Sequence, residues 1–215
     1  MTRAPRTVHE GDALAWLAAA PLEPDCGILT SLPDLVEFRH GDAVRWQAWF
    51  VATAERVLRS TPRQRAAVFY QTDVKRDGAW VDKSALLQAA AGAVGTGLLW
   101  HKIVCRAPAG QATFGRPGYA HLLAFSSELR EPVAAASADV LPALGAQVWS
   151  RGMGVAAARF AVRWLRDVAG VRTVVAPFCG QGTALAAANE LGLAAVGIEC
   201  NPGRAAKARE LVLPD

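Results

Sequence analysis

Short runs of consecutive apolar residues alternate along this chain with longer stretches in which apolar positions recur every three or four residues. The first pattern predicts strands buried on both faces, and the second predicts amphipathic helices. Strands are expected at 26–30, 66–70, 98–105, 119–126, 172–176 and 194–199, with a weaker one at 7–12. Helices are expected at 13–20, 43–59, 82–94, 154–168, 183–191 and 202–213. In 43–59 the apolar positions are Val44, Trp46, Trp49, Phe50, Ala54, Val57 and Leu58. In 154–168 Val155, Ala158, Phe160, Val162 and Leu165 face inward. Asp82 or Ser84 caps the helix at 82–94, and Pro202 opens the last one. A glycine- and proline-rich loop joins 98–105 to 119–126, and 131–146 has no clear pattern.

Strands alternating with helices define an α/β protein with a mainly parallel sheet. Its 215 residues are 52% apolar, enough to bury a substantial core. No apolar run is long enough to cross a bilayer, so no membrane partner is expected. The start of the chain is polar and lacks the apolar stretch of a signal peptide. Cys26, Cys105, Cys179 and Cys200 are scattered and without zinc-ligand spacing, and the four histidines do not cluster with them. They read as reduced thiols of a cytoplasmic protein, and no metal site is expected. A formal charge of +4 permits an anionic partner without requiring one.

The chemistry concentrates in Val174-Val175-Ala176-Pro177-Phe178-Cys179-Gly180-Gln181-Gly182-Thr183. An apolar strand runs through a loop with two glycines directly into a helix. Such a loop presents backbone N–H groups at a helix start and lets a ligand approach closely. One helix later, the strand Val196-Gly197-Ile198-Glu199 ends in a carboxylate suited to both hydroxyls of a ribose. A nicotinamide dinucleotide stays open as ligand, although Leu185 stands where its usual third glycine would be.

Pro177-Phe178-Cys179-Gly180-Gln181-Gly182-Thr183 followed by Gly197-Ile198-Glu199-Cys200-Asn201-Pro202 resembles the cofactor motifs of the class I methyltransferases. The resemblance is to the amino-methylating DNA methyltransferases (cytosine N4 or adenine N6) of circularly permuted type. In that group the cofactor motif lies near the C-terminus and the catalytic motif near the N-terminus. Glu10-Gly11-Asp12-Ala13 looks like the group's Gly-Asp segment, and Cys26 to Asp34 looks like its catalytic strand and turn. The resemblance implies a Rossmann-like, doubly wound, mainly parallel sheet with an antiparallel edge strand. It implies one methyltransferase domain over 1–215, with a catalytic-turn half (1–150) and a cofactor-loop half (151–215). It implies S-adenosylmethionine as cofactor, bound by Asp12, Ala13, Thr30, Pro177, Phe178, Cys179, Gly180, Gly182, Thr183, Glu199, Cys200 and Asn201. The catalytic turn is then Ser31, Leu32, Pro33 and Asp34. Ala176 replaces the group's acid, Leu32 its first proline and Asp34 the aromatic ring that stacks on a flipped base.

Methyl transfer is an in-line displacement, so the protein must hold the acceptor lone pair against the methyl group. Ser31 and the Leu32 carbonyl are placed to orient an amino group. Gln71, Asp73 and Lys75 follow the next strand and are expected to meet the acceptor; so are His101 and Arg116. These readings make the chain an N-methyltransferase of RNA or DNA. The altered turn keeps two alternatives open: a small-molecule or protein methyltransferase, and a non-catalytic cofactor-binding subunit. A protein partner or a homodimer is compatible with each.

Overall fold

The computed structural model describes residues 4–38 and 42–214, so the polar start of the chain is described only from Ala4. In chain order the strands are β1 (Arg6–Glu10), β2 (Cys26–Thr30), β3 (Ala67–Gln71), β4 (Val74–Arg76), β5 (Ala79–Val81), β6 (Gly97–Cys105), β7 (Tyr119–Ser126), β8 (Val140–Leu141), β9 (Thr173–Pro177) and β10 (Ala194–Glu199). The helices are α1 (Ala13–Ala19), α2 (Ala43–Ser60), α3 (Lys83–Ala93), α4 (Val155–Asp167), α5 (Thr183–Glu190) and α6 (Pro202–Glu210).

Eight strands form one sheet in the order β1-β10-β9-β2-β3-β7-β6-β8, and β4 pairs with β5 as a separate hairpin. The first five strands are mutually parallel. The antiparallel strand expected at an edge is β7, and it lies inside the sheet. Beyond it β6 pairs antiparallel to β7, and β8 extends β6 in parallel.

Consecutive apolar residues in one strand serve opposite faces, which explains the unbroken apolar runs. Ile28, Phe69 and Leu123 pack under α1, α2 and α3 with Trp46, Phe50 and Leu87. Their neighbours Leu29, Val68 and Leu122 pack under the other layer with Val162, Leu165 and Leu185 of α4 and α5. Burying each such side chain stabilises the fold by about 1.5–3 kcal/mol before entropy is subtracted. No helix among the described residues is long and apolar enough to cross a membrane, and the four cysteines are free.

Several expectations shift. Val44 is exposed because it lies two residues, and so more than half a turn, from the Trp46–Phe50–Ala54–Val57 stripe of α2. Phe160 is half-buried, its ring edge-on to Trp100. Asp82, rather than Ser84, caps α3 by accepting from Ala85 N. The last helix stops at Glu210, since Pro214 disfavours a helical Leu213. The stretch 131–146 is largely irregular but supplies β8.

Candidate active site

Because β1, β10, β9, β2 and β3 are parallel, their carboxyl ends share one rim of the sheet. The connections diverge on either side of β9, between β10 and β2. That divergence opens a crevice where α/β sheets hold ligands. A cavity of about 400 Å³ lies there. Asp12, Ala13, Thr30, Phe178, Cys179, Gly180, Thr183, Glu199, Cys200 and Asn201 line it, so three separate motifs converge on one space. Two residues read as cofactor-binding do not line it. Pro177 accepts a hydrogen bond from the Thr30 hydroxyl, tying β9 to β2. Gly182 faces α6 instead, where an added Cβ would lie 2.8 Å from Ala208 Cα.

The loop after β9 is tightly wound. Phe178 adopts a left-handed backbone (φ 61°), unusual for a bulky residue and a form of strain found at functional sites. Gly180 is also left-handed, and an added Cβ would lie 3.0 Å from the Trp149 ring. Glu199, buried at the end of β10, holds this loop: one carboxylate oxygen accepts from Gly180 N at 3.0 Å. The other accepts from Asn201 N at 2.9 Å, fixing the start of α6. Asn201 in turn caps α6, accepting from Arg204 N, and Asp12 caps α1, accepting from Ala15 N. No side chain caps α5, which begins at Gly182. The buried Thr183 hydroxyl beside it has no hydrogen-bond partner among the described residues. Burial pushes the Cys179 thiol up to about 12, with the Glu199 charge adding to the effect, which favours its neutral form.

A second cavity, about 110 Å³, adjoins the first. Ser31, Leu32, Glu37, Arg151 and Gly152 line both, so the turn after β2 forms part of the shared wall. Pro33 lines the larger cavity, and its carbonyl accepts from Trp46 Nε1 at 3.2 Å. Asp34 caps the 3-10 turn Leu35–Glu37, accepting from Leu35 N, and also faces the smaller cavity. There it pairs with Lys83 Nζ at 3.3 Å. The Lys83 side chain is only 2% exposed. Burial lowers its pKa, and the Asp34 charge acts in the opposite direction. Asp34 is therefore at once a cap and a pocket residue.

Of the residues expected to meet an acceptor, Gln71, Asp73 and Arg116 line the smaller cavity and Lys75 and His101 do not. Lys75 is exposed on β4, with its ammonium over the Trp80 ring. His101 acts at one remove: its Nε2 lies 2.9 Å from His121 Nδ1, and His121 Nε2 lies 2.9 Å from Asp73 Oδ2. Asp73, Asp82 and His121 bring ligand atoms within 4.8 Å of one another, a grouping that the scattered cysteines and histidines did not announce. Asp73 and His121 already satisfy each other there.

Sequence reasoning missed Lys83 as a pocket residue, and Trp149 over the glycine loop. It also missed a bridge across the cavity mouth. Glu37 accepts from Arg204 at 3.0 Å and lies 3.8 Å from Arg151, while the Arg204 guanidinium stacks on Trp149. No local pattern marks such long-range pairs. Arg151, Gly152 and Met153, just before α4, also line the larger cavity.

No protein-family model matches the chain, and no curated protein matches it in sequence. Solved structures do match. A Thermus thermophilus protein assigned as a DNA modification methylase, solved with S-adenosyl-L-methionine, superposes with a TM-score of 0.73 at 20% identity, covering 94% of this chain and 91% of its own. The cytosine-N4-specific PvuII DNA methyltransferase gives 0.76 at 17% identity, over 98% and 88%. M1.HpyAVI, solved as its SAM complex, gives 0.62 at 12%, over 95% and 97%. The chain therefore has the α/β fold of these methyltransferases, over nearly its whole length.

Proposed function

We propose that this chain is an S-adenosylmethionine-dependent methyltransferase that modifies an amino nitrogen of nucleic acid. One observation carries the reading: the glycine loop, the Glu199 strand end and the catalytic turn, far apart in sequence, wall one cavity. Its residues suit the cofactor. The unpartnered Thr183 hydroxyl and the uncapped start of α5 offer donors to a carboxylate. Glu199 keeps acceptor capacity for ribose hydroxyls beyond its backbone contacts. Asp12, at the start of α1, offers a second carboxylate to the nucleoside.

When bound, the cofactor supplies a methyl group already activated by its sulfonium. The protein's own part is positioning. Ser31 and Leu32 present acceptor atoms where the two cavities meet, and Pro33, held by Trp46, keeps the turn rigid. Asp34, paired with Lys83, puts charge where the resembling group carries a ring, so the acceptor is held by polar contacts more than by stacking. The same reading makes 1–215 one domain of circularly permuted motif order, in a cytoplasmic protein. DNA is the first acceptor to test, because the structural neighbours are described as DNA methylases. Incubation with radiolabelled S-adenosylmethionine and DNA, RNA or small-molecule extract should label nucleic acid, with the label in a methylated amino group on nucleoside digestion. Label confined to small molecules or protein would reject the nucleic-acid reading.

A further inference from the structure

One buried amide at the end of β3 has no partner among the described residues. Gln71 is 1% exposed and Tyr70 3%, and both line the smaller cavity. Gln71 Nε2 has no hydrogen-bond partner among the described residues. A buried donor without a partner is unfavourable by about 1–3 kcal/mol, and most such groups in folded proteins are satisfied. Such a donor in a residue that lines a cavity points to a ligand atom that accepts hydrogen bonds. Lys83, paired with Asp34, and Arg106 line the same cavity.

The geometry gives the ligand an orientation. Ser31 and Leu32 stand where the cavities meet, so the atom receiving the methyl group belongs at that end. Gln71 lines only the smaller cavity and so contacts a different atom of the acceptor. We propose that Gln71 determines acceptor specificity, donating from its amide to a ring nitrogen or carbonyl oxygen that neighbours the methylated amino group. This rests on the methyltransferase reading above and sharpens it. The acceptor is an amino group on a carbon that also bears a lone-pair atom, and an amine lacking that neighbour is rejected. A site built around a hydrogen bond rejects the analogue that cannot make it, because the donor is then left buried and alone.

The test needs no turnover. Aminopyrazine and aniline are single rings of similar size that share an amino group, but only aminopyrazine has a ring nitrogen beside it. Binding of each is measured by ligand-observed NMR in the presence of S-adenosylhomocysteine. The wild type should favour aminopyrazine by ~10-fold or more, one hydrogen bond's worth. Gln71→Met, which keeps the shape but loses the donor, should bind both equally. Gln71→Glu, which puts an acceptor where the donor was, should also lose the preference. Equal binding of the two probes by the wild type, no binding of either, or a preference that survives in Gln71→Met overturns the proposal. Heat of S-adenosylhomocysteine binding, measured separately on the same proteins, reports on the cofactor reading. A protein that shows the ring preference but gives no such heat would keep the specificity pocket and lose the methyltransferase.

Discussion

At the scale of single residues, the site depends on atoms whose neighbours lie far away in sequence. Gly182 shows this: it was expected to cradle a ligand, yet its φ of 90° and the nearness of Ala208 give it a packing role. Gly182→Ala should destabilise the fold by about 1–3 kcal/mol through strain and overpacking, measured by denaturant unfolding. Thr183→Val should leave stability nearly unchanged and weaken S-adenosylhomocysteine binding by ~10-fold, because the hydroxyl has no structural partner to lose. His101 carries a pH dependence. Burial holds its pKa below the usual value, with the His121 charge acting the same way and Asp82 and Asp73 opposing. Its neutral form is therefore favoured in the folded state, while the unfolded chain takes up a proton near pH 6.5. Stability should be full above that pH and fall as the pH drops through the lower, folded value. His101→Gln should flatten this part of the melting-temperature profile, and an unchanged profile would remove the assignment. The glycine loop and Glu199 were legible because each stands in a short local pattern. Lys83 was not, because a lysine at a helix start ordinarily points to water, and its partner Asp34 arrives from another loop.

At the scale of elements, the strong periodicities held. The β2, β3 and β10 runs and the α2 stripe follow directly from which face each residue must bury. The β4–β5 hairpin went unread although its signal was present. Asp77-Gly78 joins the two strands with positive φ at both residues (50° and 80°), the pairing that favours a tight hairpin turn. Two-residue β8 lies below what any pattern can show. The turn at Ser31–Asp34 is supported by α2, through the bond from Trp46 to the Pro33 carbonyl. Trp46→Phe keeps an aromatic ring but removes that donor. It should lower stability by about 1–3 kcal/mol, from the lost hydrogen bond and the smaller ring. It should also slow methyl transfer more than it weakens cofactor binding, since the glycine loop is untouched. Equal losses in turnover and in cofactor affinity would show that α2 supports the whole rim and not the turn.

At the scale of the molecule, the parallel strands bring opposite ends of the chain to one rim, and this places Asp12, Ser31, Phe178 and Glu199 around a shared space. The motif order in the sequence allowed that convergence to be expected; the two adjoining cavities could be seen only in three dimensions. Arg106, Arg116 and Arg151 line the smaller cavity, and the whole chain carries a charge of +4. Binding to a nucleic acid should therefore weaken steeply with salt, in a filter-binding series, while binding of the cofactor product should not. The convergence itself is tested most directly by calorimetric titration with S-adenosylhomocysteine. Wild-type protein should give a one-to-one binding heat, and Glu199→Ala, checked as folded by circular dichroism, should give little or none. A folded wild type that gives no heat, or a Glu199→Ala protein that binds as tightly as the wild type, would contradict it.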